Sequence, residues 1–223
     1  MKTSIIIPAF NEEKTILEVI QKVKELRLKK EIIVVDDGST DNTWKIIEKT
    51  EGIKKVRHKK NFGKGAAFKS ALKTSSGEII IVQDADMELD PKQIPKIIEP
   101  ILNKKCEVVY GSRNSMGKGK RTLVFFLGGH LITFITNLLY KTKLTDEPCG
   151  YKAFSKEVLK EININSDRFE WEPEVTAKLA KKGIKIVEVP VYSNSRTIKE
   201  GKKLRRMDGV KAAWTLIKYR FIN

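Results

Sequence analysis

The sequence predicts an α/β protein, a Rossmann-like and mostly parallel central sheet with helices on both faces, and three observations carry that expectation. Short β-branched runs recur: TSIII, EIIVV, IKKVRH, EIIIVQ and CEVVY. The stretches between them show helical periodicity, as at Ile16, Ile20, Val23 and Leu26. Each run is followed at once by polar or glycine-rich residues. Strand alternating with helix gives parallel strands buried on both faces, which read as continuous apolar runs. Ligands of such sheets bind beyond the carboxyl ends of the strands, so the residues just after each run are the ones that bear on function.

After the first strand comes PAFNEE, and after the second DDGSTDNT. A turn and a helix N-cap are a sufficient use for Asp, Ser and Asn. A second acid directly behind a buried strand is needless for a turn, however, and Asp36 and Asp37 suit the gripping of a base or ribose. NFGKGAA follows the third strand, where Gly63 and Gly65 allow close backbone approach to a phosphate and Lys64 adds charge. It lacks the Walker spacing and is weak on its own.

The fourth strand runs into IVQDADMELDP. Alternation along an extended chain puts Asp84 and Asp86 on one side, where two carboxylates raise each other's pKa unless a cation lies between them. Hard oxygen ligands at a strand end suit Mg²⁺ or Mn²⁺, which bind one or two carboxylates together with substrate phosphates. The plain alternative is an acidic surface turn closed by Pro91. GSRNSMGKGK follows the fifth strand.

The formal charge of +16 and a pI near 9.7 favour an anionic partner: nucleic acid, an acidic bilayer or a phosphorylated substrate. A lysine-rich surface suited to high temperature accounts for much of the same excess. Cys106 and Cys149, the only cysteines, support neither a disulfide framework nor a zinc knuckle. MKTSIIIPAFNEE has too short an apolar run for a secretory signal, which predicts a cytoplasmic protein. No repeat or linker marks a boundary between independent domains.

Residues 122–140, TLVFFLGGHLITFITNLLY, hold no Asp, Glu, Lys or Arg over about the length that crosses a bilayer. A single span would leave Asp86 and Arg113 on one side and Asp146 and Arg196 on the other, residues that the resemblance given below brings into one site, so a crossing helix is rejected. Two glycines, His130, Thr133, Thr136 and Asn137 predict a polar face. A buried core helix and a helix lying along the membrane interface remain, and the flanking basic residues favour the interface. Near the end of the chain, Val210, Trp214, Ile217 and Phe221 recur at near-helical spacing among lysines and arginines, a pattern suited to lipid headgroups.

SIIIPAFNEE, IVVDDGSTDNT, NFGKGAA, DADMELDP, GSR, DEPCGYKAF and RTIKEGKKL, in that order, resemble the family 2 glycosyltransferases with the GT-A fold. Within them the chain looks most like the polyprenyl-phosphate sugar transferases, the dolichol-phosphate mannose and glucose synthases. The likeness runs from Ser4 to about Leu204. It implies a GT-A catalytic domain over residues 1–204 and a basic amphipathic helix over 205–223 at a membrane surface.

It further implies that Pro8, Asn11, Glu12, Asp37 and Asp84 hold the base and ribose, with Asp36, Gly63 and Lys64 in the same nucleotide-sugar site. Asp86 would bind Mg²⁺ or Mn²⁺, with Asp84 and Glu88 beside it. Glu88 stands where makers of mannosyl lipids often carry glutamine, which leaves the third ligand and the donor sugar open. Arg113, Asp146, Arg196 and Lys202 match positions around the transferred sugar and acceptor phosphate, and Asp86, Arg113 and Asp146 form the expected catalytic set. RTIKEGKK resembles a loop that closes over substrates, while Glu170 and Glu172 in FEWEPE carry no assigned chemistry.

The implied reaction moves a hexose, from UDP-glucose or GDP-mannose, to a polyprenyl or dolichyl phosphate with inversion, on an enzyme attached peripherally to the cytoplasmic face of an anionic membrane. A sugar hydroxyl as acceptor would need a general base, for which Asp146 is the candidate. Sugar nucleotidyltransferases carry a glycine-rich N-terminal loop with Arg and Lys where this chain has PAFNEE. A nucleic-acid partner is not expected, since no helix-turn-helix, zinc or RNA-binding signature is present and the paired aspartates would repel a phosphate backbone.

Overall fold

The computed structural model describes residues 1–114, 123–196, 201–203 and 205–222. Lys118, Lys120, Arg121 and Thr122 ahead of the apolar segment, Thr197 to Glu200 of the expected closing loop, and Leu204 lie outside the described residues.

The five strands foreseen are β1 (Thr3–Ala9), β2 (Lys30–Asp36), β3 (Lys54–Arg57), β4 (Ile79–Val82) and β5 (Val108–Ser112). Two more, β6 (Lys152–Ser155) and β7 (Ile186–Pro190), complete one sheet in the order β3-β2-β1-β4-β6-β5-β7. β6 alone runs antiparallel, to both β4 and β5. Alternation along β1 sends Ile5, Ile7 and Ala9 to one face and Ile6 to the other. The first face packs on α1 (Ile16–Glu25), α2 (Thr43–Lys49) and α4 (Ile94–Leu102). The second packs on α3 (Lys64–Thr74), α6 (Lys156–Lys160) and α7 (Trp171–Lys181). Helix α1 buries Ile16, Val19, Ile20 and Val23, the 3.6-residue stripe that its spacing required.

β4 is shorter than expected. It stops at Val82, and Ala85 and Asp86 lie in a turn that passes through Met87 at φ +61°. The Gln83 side-chain amide donates to the carbonyls of Asp84 and Leu89, both at 3.0 Å, and its oxygen accepts from Tyr151 Oη at 2.7 Å. These bonds close the turn. Strand alternation therefore does not place Asp84 and Asp86, although both line one cavity.

α5 (Leu123–Tyr140) packs beside α7 and α8 (Arg206–Phe221) around Ile132, Ala177, Leu216 and Tyr219. Of the polar residues expected on one face, Thr133 and Thr136 point inward, Asn137 is half-buried and His130 is exposed. Thr136 is fully buried and Thr133 nearly so, each donating to the carbonyl one turn back, while Asn137 ties down Leu144 and Thr142. Leu131, Phe134 and Leu138 stand 57%, 63% and 68% exposed. Val210, Trp214, Ile217 and Phe221 of α8 are exposed as well. Among the described residues no helix is long and apolar enough to cross a membrane.

Candidate active site

The rim at the carboxyl ends of the parallel strands holds a cavity of about 200 Å³. Pro8, Glu12, Lys64, Asp84, Asp86, Glu88, Arg113 and Lys202, all expected from the sequence, line it. Asn11, at φ +50°, stitches two rim loops together: its backbone N–H donates to Ser39 Oγ at 2.9 Å and its side chain accepts from Thr40 N at 2.8 Å.

The two acids after β2 are used differently. Asp37 accepts from His58 Nδ1 at 2.7 Å and from the backbone N–H groups of Phe62 and Gly63 at 3.0 and 2.7 Å, so its carboxylate holds the third rim loop in place. Asp36 is fully buried and among the described residues its Oδ2 has no hydrogen-bond partner, with Arg57 Nε at 3.5 Å. Gly63 (φ +113°) and Gly65 are needed for a close approach, but to the chain itself: a Cβ on them would come within 2.4 Å of the Asp167 carbonyl and 2.5 Å of the Ser166 carbonyl.

Lys64 opens α3, and its ammonium bridges Asp84 Oδ1 at 2.6 Å and Glu172 Oε1 at 2.8 Å. Burial works against its charge, but these two acids more than offset it and raise its pKa above the ordinary lysine value. Glu88 is paired with Lys202 at 2.9 Å. Arg196 donates to Glu12 Oε2 at 3.0 Å and to the Asp86 carbonyl, and Lys203 also binds Glu12. Among the described residues Asp86 alone of the three expected metal carboxylates has no lysine or arginine on its carboxylate. Its Oδ1 accepts from Glu88 N at 3.0 Å. Burial first, and then Asp84 and Glu88, raise its pKa to about 7.

These surroundings fit a divalent cation on Asp86, since a buried carboxylate between two others lacks the neutralising charge such an ion brings. No three His, Cys, Asp or Glu side chains among the described residues converge as a cage. The three-carboxylate set expected from the sequence is not assembled, because Asp84 and Glu88 are already paired. One protein carboxylate plus phosphate and water oxygens remains an ordinary shell for Mg²⁺.

A second cavity, of about 390 Å³, adjoins the first. Phe125, Phe126, Ile132, Pro148 and Ala212 give it apolar walls, and Arg113, Arg196 and Lys202 bring cations to it. Arg113 Nε and Nη2 grip the two oxygens of buried Asp146 at 2.7 and 2.8 Å, and Arg113 N adds a third bond at 2.8 Å. Burial would favour a neutral guanidinium; Asp146 outweighs it and keeps Arg113 firmly charged. Lys202 also lies over the Phe125 ring at 5.1 Å.

Several site residues were missed in the sequence. Phe169 and Ser193 line the first cavity, and the Ser193 hydroxyl is buried without a partner among the described residues. Fully buried Lys152 donates to the carbonyls of Glu147 and Cys149 at 2.6 and 3.0 Å, fixing the DEPCGYK loop. The lysine inside that motif was the available signal.

The sequence profile of glycosyl transferase family 2 matches residues 4–163. A UDP-N-acetylglucosamine–dolichyl-phosphate N-acetylglucosaminyltransferase of Methanococcus voltae is 33% identical over 84% of this chain and 83% of its own length. A dolichol-phosphate mannosyltransferase of Pyrococcus furiosus is 31% identical over 91% of this chain and 59% of its own. Glucosyl-3-phosphoglycerate synthase from Mycobacterium tuberculosis, in complex with UDP, matches the whole chain and 81% of its own with a TM-score of 0.79 at 22% identity. That likeness establishes the GT-A fold. With rim loops, fold and sequence profile in agreement, the chain belongs to glycosyl transferase family 2 and is a glycosyltransferase.

Proposed function

We propose that the enzyme transfers a hexose from a nucleotide diphosphate sugar to a polyprenyl phosphate at an anionic membrane surface, with inversion and with help from Mg²⁺ or Mn²⁺. One observation carries the choice of acceptor: the second cavity combines apolar walls with cations where it meets the first. Such a site suits an amphiphile whose head is an anion. Residues of α5 and α8 help to line that cavity, and the exposed apolar residues that the same helices carry support lipid contact.

In this reading Pro8, Asp36 and Asp37 border the base and ribose. Asp86, with Asp84 and Glu88 nearby, holds the cation. When bound, the cation supplies electrostatic stabilisation of charge on the departing diphosphate. An oxygen of the acceptor phosphate forms the new bond to the anomeric carbon as the bond to the diphosphate breaks, and the electron pair leaves with the nucleoside diphosphate. A phosphate monoester, with a second pKa near ~6, is already largely ionised at neutral pH and needs no protein base. Asp146 agrees with this, since its carboxylate is occupied by Arg113. Arg113, Arg196 and Lys202 orient the acceptor phosphate, although Arg196 and Lys202 must exchange their carboxylate partners to do so.

The test is incubation with Mg²⁺ or Mn²⁺ and vesicles containing polyprenyl phosphate, with labelled UDP-glucose, UDP-N-acetylglucosamine and GDP-mannose in separate arms. Solvent-extractable lipid-linked label is expected from one donor. A parallel arm offers soluble phosphoglycerate, and label appearing only there would overturn the lipid acceptor.

A further inference from the structure

Arg113, Pro148, Phe169, Glu172 and Lys202 line both cavities. If one cavity takes the nucleotide sugar and the other the lipid phosphate, the group held at their junction is the hexose itself. Among these five, Arg113 and Lys202 are cations suited to phosphate, and Pro148 and Phe169 are apolar. Glu172 is the one acidic side chain.

Its geometry is that of a prepared acceptor. Glu172 stands in the first turn of α7, and Lys64, which is also bound to Asp84, fixes its Oε1 at 2.8 Å. Lys152 Nζ lies 4.0 Å from Oε2. Among the described residues no group donates a hydrogen bond to Oε2, although the residue is 8% exposed and borders both cavities. A carboxylate oriented by fixed cations, with one oxygen left over, makes charge-assisted bonds to hydroxyl groups. A hexose offers several. Half-buried Phe169 presents an apolar surface for the C–H side of the ring.

We propose that Glu172 recognises hydroxyl groups of the transferred hexose, with Phe169 against the ring, and thereby sets which sugar the enzyme accepts. This rests on the transferase reading above. A merely structural Glu172, serving the N-terminus of α7 or the placement of Lys64, would change stability or overall rate without altering the preference among sugars.

The experiment pairs enzyme and substrate deletions. The donor that labels lipid best is compared with its analogues lacking one ring hydroxyl at a time, using the full chain, Mg²⁺ or Mn²⁺ and polyprenyl phosphate vesicles. In the wild type at least one analogue should lose about tenfold or more in kcat/KM. In Glu172→Ala the penalty for that same analogue should collapse to roughly threefold or less, with the other penalties unchanged, and Glu172→Gln should fall between. Binding of UDP or GDP without sugar, followed by calorimetry, should be unaltered in both variants. Equal penalties in the wild type and Glu172→Gln overturn the proposal, and this comparison suffices if the alanine variant does not fold. Failure of the wild type to transfer any sugar to lipid overturns the transferase reading and this proposal with it.

Discussion

Asp146 has three bonds from Arg113 and lines the apolar cavity; in the proposed reading its part is to position a cation and not to take up a proton. Removing one member of a buried pair leaves the other uncompensated. Asp146→Ala should therefore destabilise the protein by about 3 kcal/mol in urea unfolding. Asp146→Asn should raise the KM for the lipid phosphate while leaving the shape of the pH–rate profile alone. Disappearance of an acidic limb from that profile would make Asp146 a base after all.

Asp86 gives a second prediction. Its folded-state pKa, about 7, lies above the ordinary carboxylate value, so between pH ~4 and ~7 the folded protein keeps a proton that the unfolded chain has released. Stability contributed by that proton is present at the acid end and is lost as pH rises through the window. The metal-free protein should melt several degrees lower at pH 8 than at pH 5, and Asp86→Asn should flatten the difference. An equal slope in the variant rules out Asp86 as its source. The sequence showed that acids gather at this rim, because Asp and Glu follow buried strands. It did not show their partners: that Asp37 is saturated and Asp36 is not depends on where residues 57–63 fold back.

Helix α5 has Leu127, Leu131, Leu138 and Phe134 outside, with Thr133 and Thr136 inside beside Ile132. Leu131→Glu and Phe134→Glu remove no buried contact, so each should change unfolding free energy by no more than about 0.5 kcal/mol. Each should weaken binding to vesicles rich in anionic lipid by roughly tenfold, as expected when an apolar side chain no longer leaves water. Full vesicle binding by the double variant would remove α5 from the lipid contact. Strands β1, β2, β4 and β5 and helix α1 were legible because their apolar runs or periods are clean, while β3, KKVR, rested on Val56 and its place between helical stretches. β6 was not, since KAFS has no β-branched run and its pairing partners lie far away in sequence. The end of β4 at Val82 was hidden for a similar reason, as the turn depends on Tyr151, 68 residues downstream of Gln83.

Across the whole molecule the charge of +16 coexists with a rim rich in carboxylates, most of them already matched by lysines and arginines. The excess cations are available to an anionic bilayer, with each Lys or Arg near its surface contributing about 1 kcal/mol. Vesicle binding should accordingly weaken steeply as salt rises from about 0.05 to 0.3 M, because the screening length shortens over that range. Salt-independent binding would leave the apolar helices as the whole attachment. The reversed strand β6 has one more consequence. Tyr110 of β5 pairs directly with Lys152 of β6, so the chain departs after Ser112 and comes home on an adjacent rung at the same edge of the sheet. The stretch between carries α5 and the DEPCG loop, and its content can diverge among descendants while the β5–β6 rungs stay in place, provided that its contacts with α7 and α8 and the Tyr151–Gln83 bond are kept.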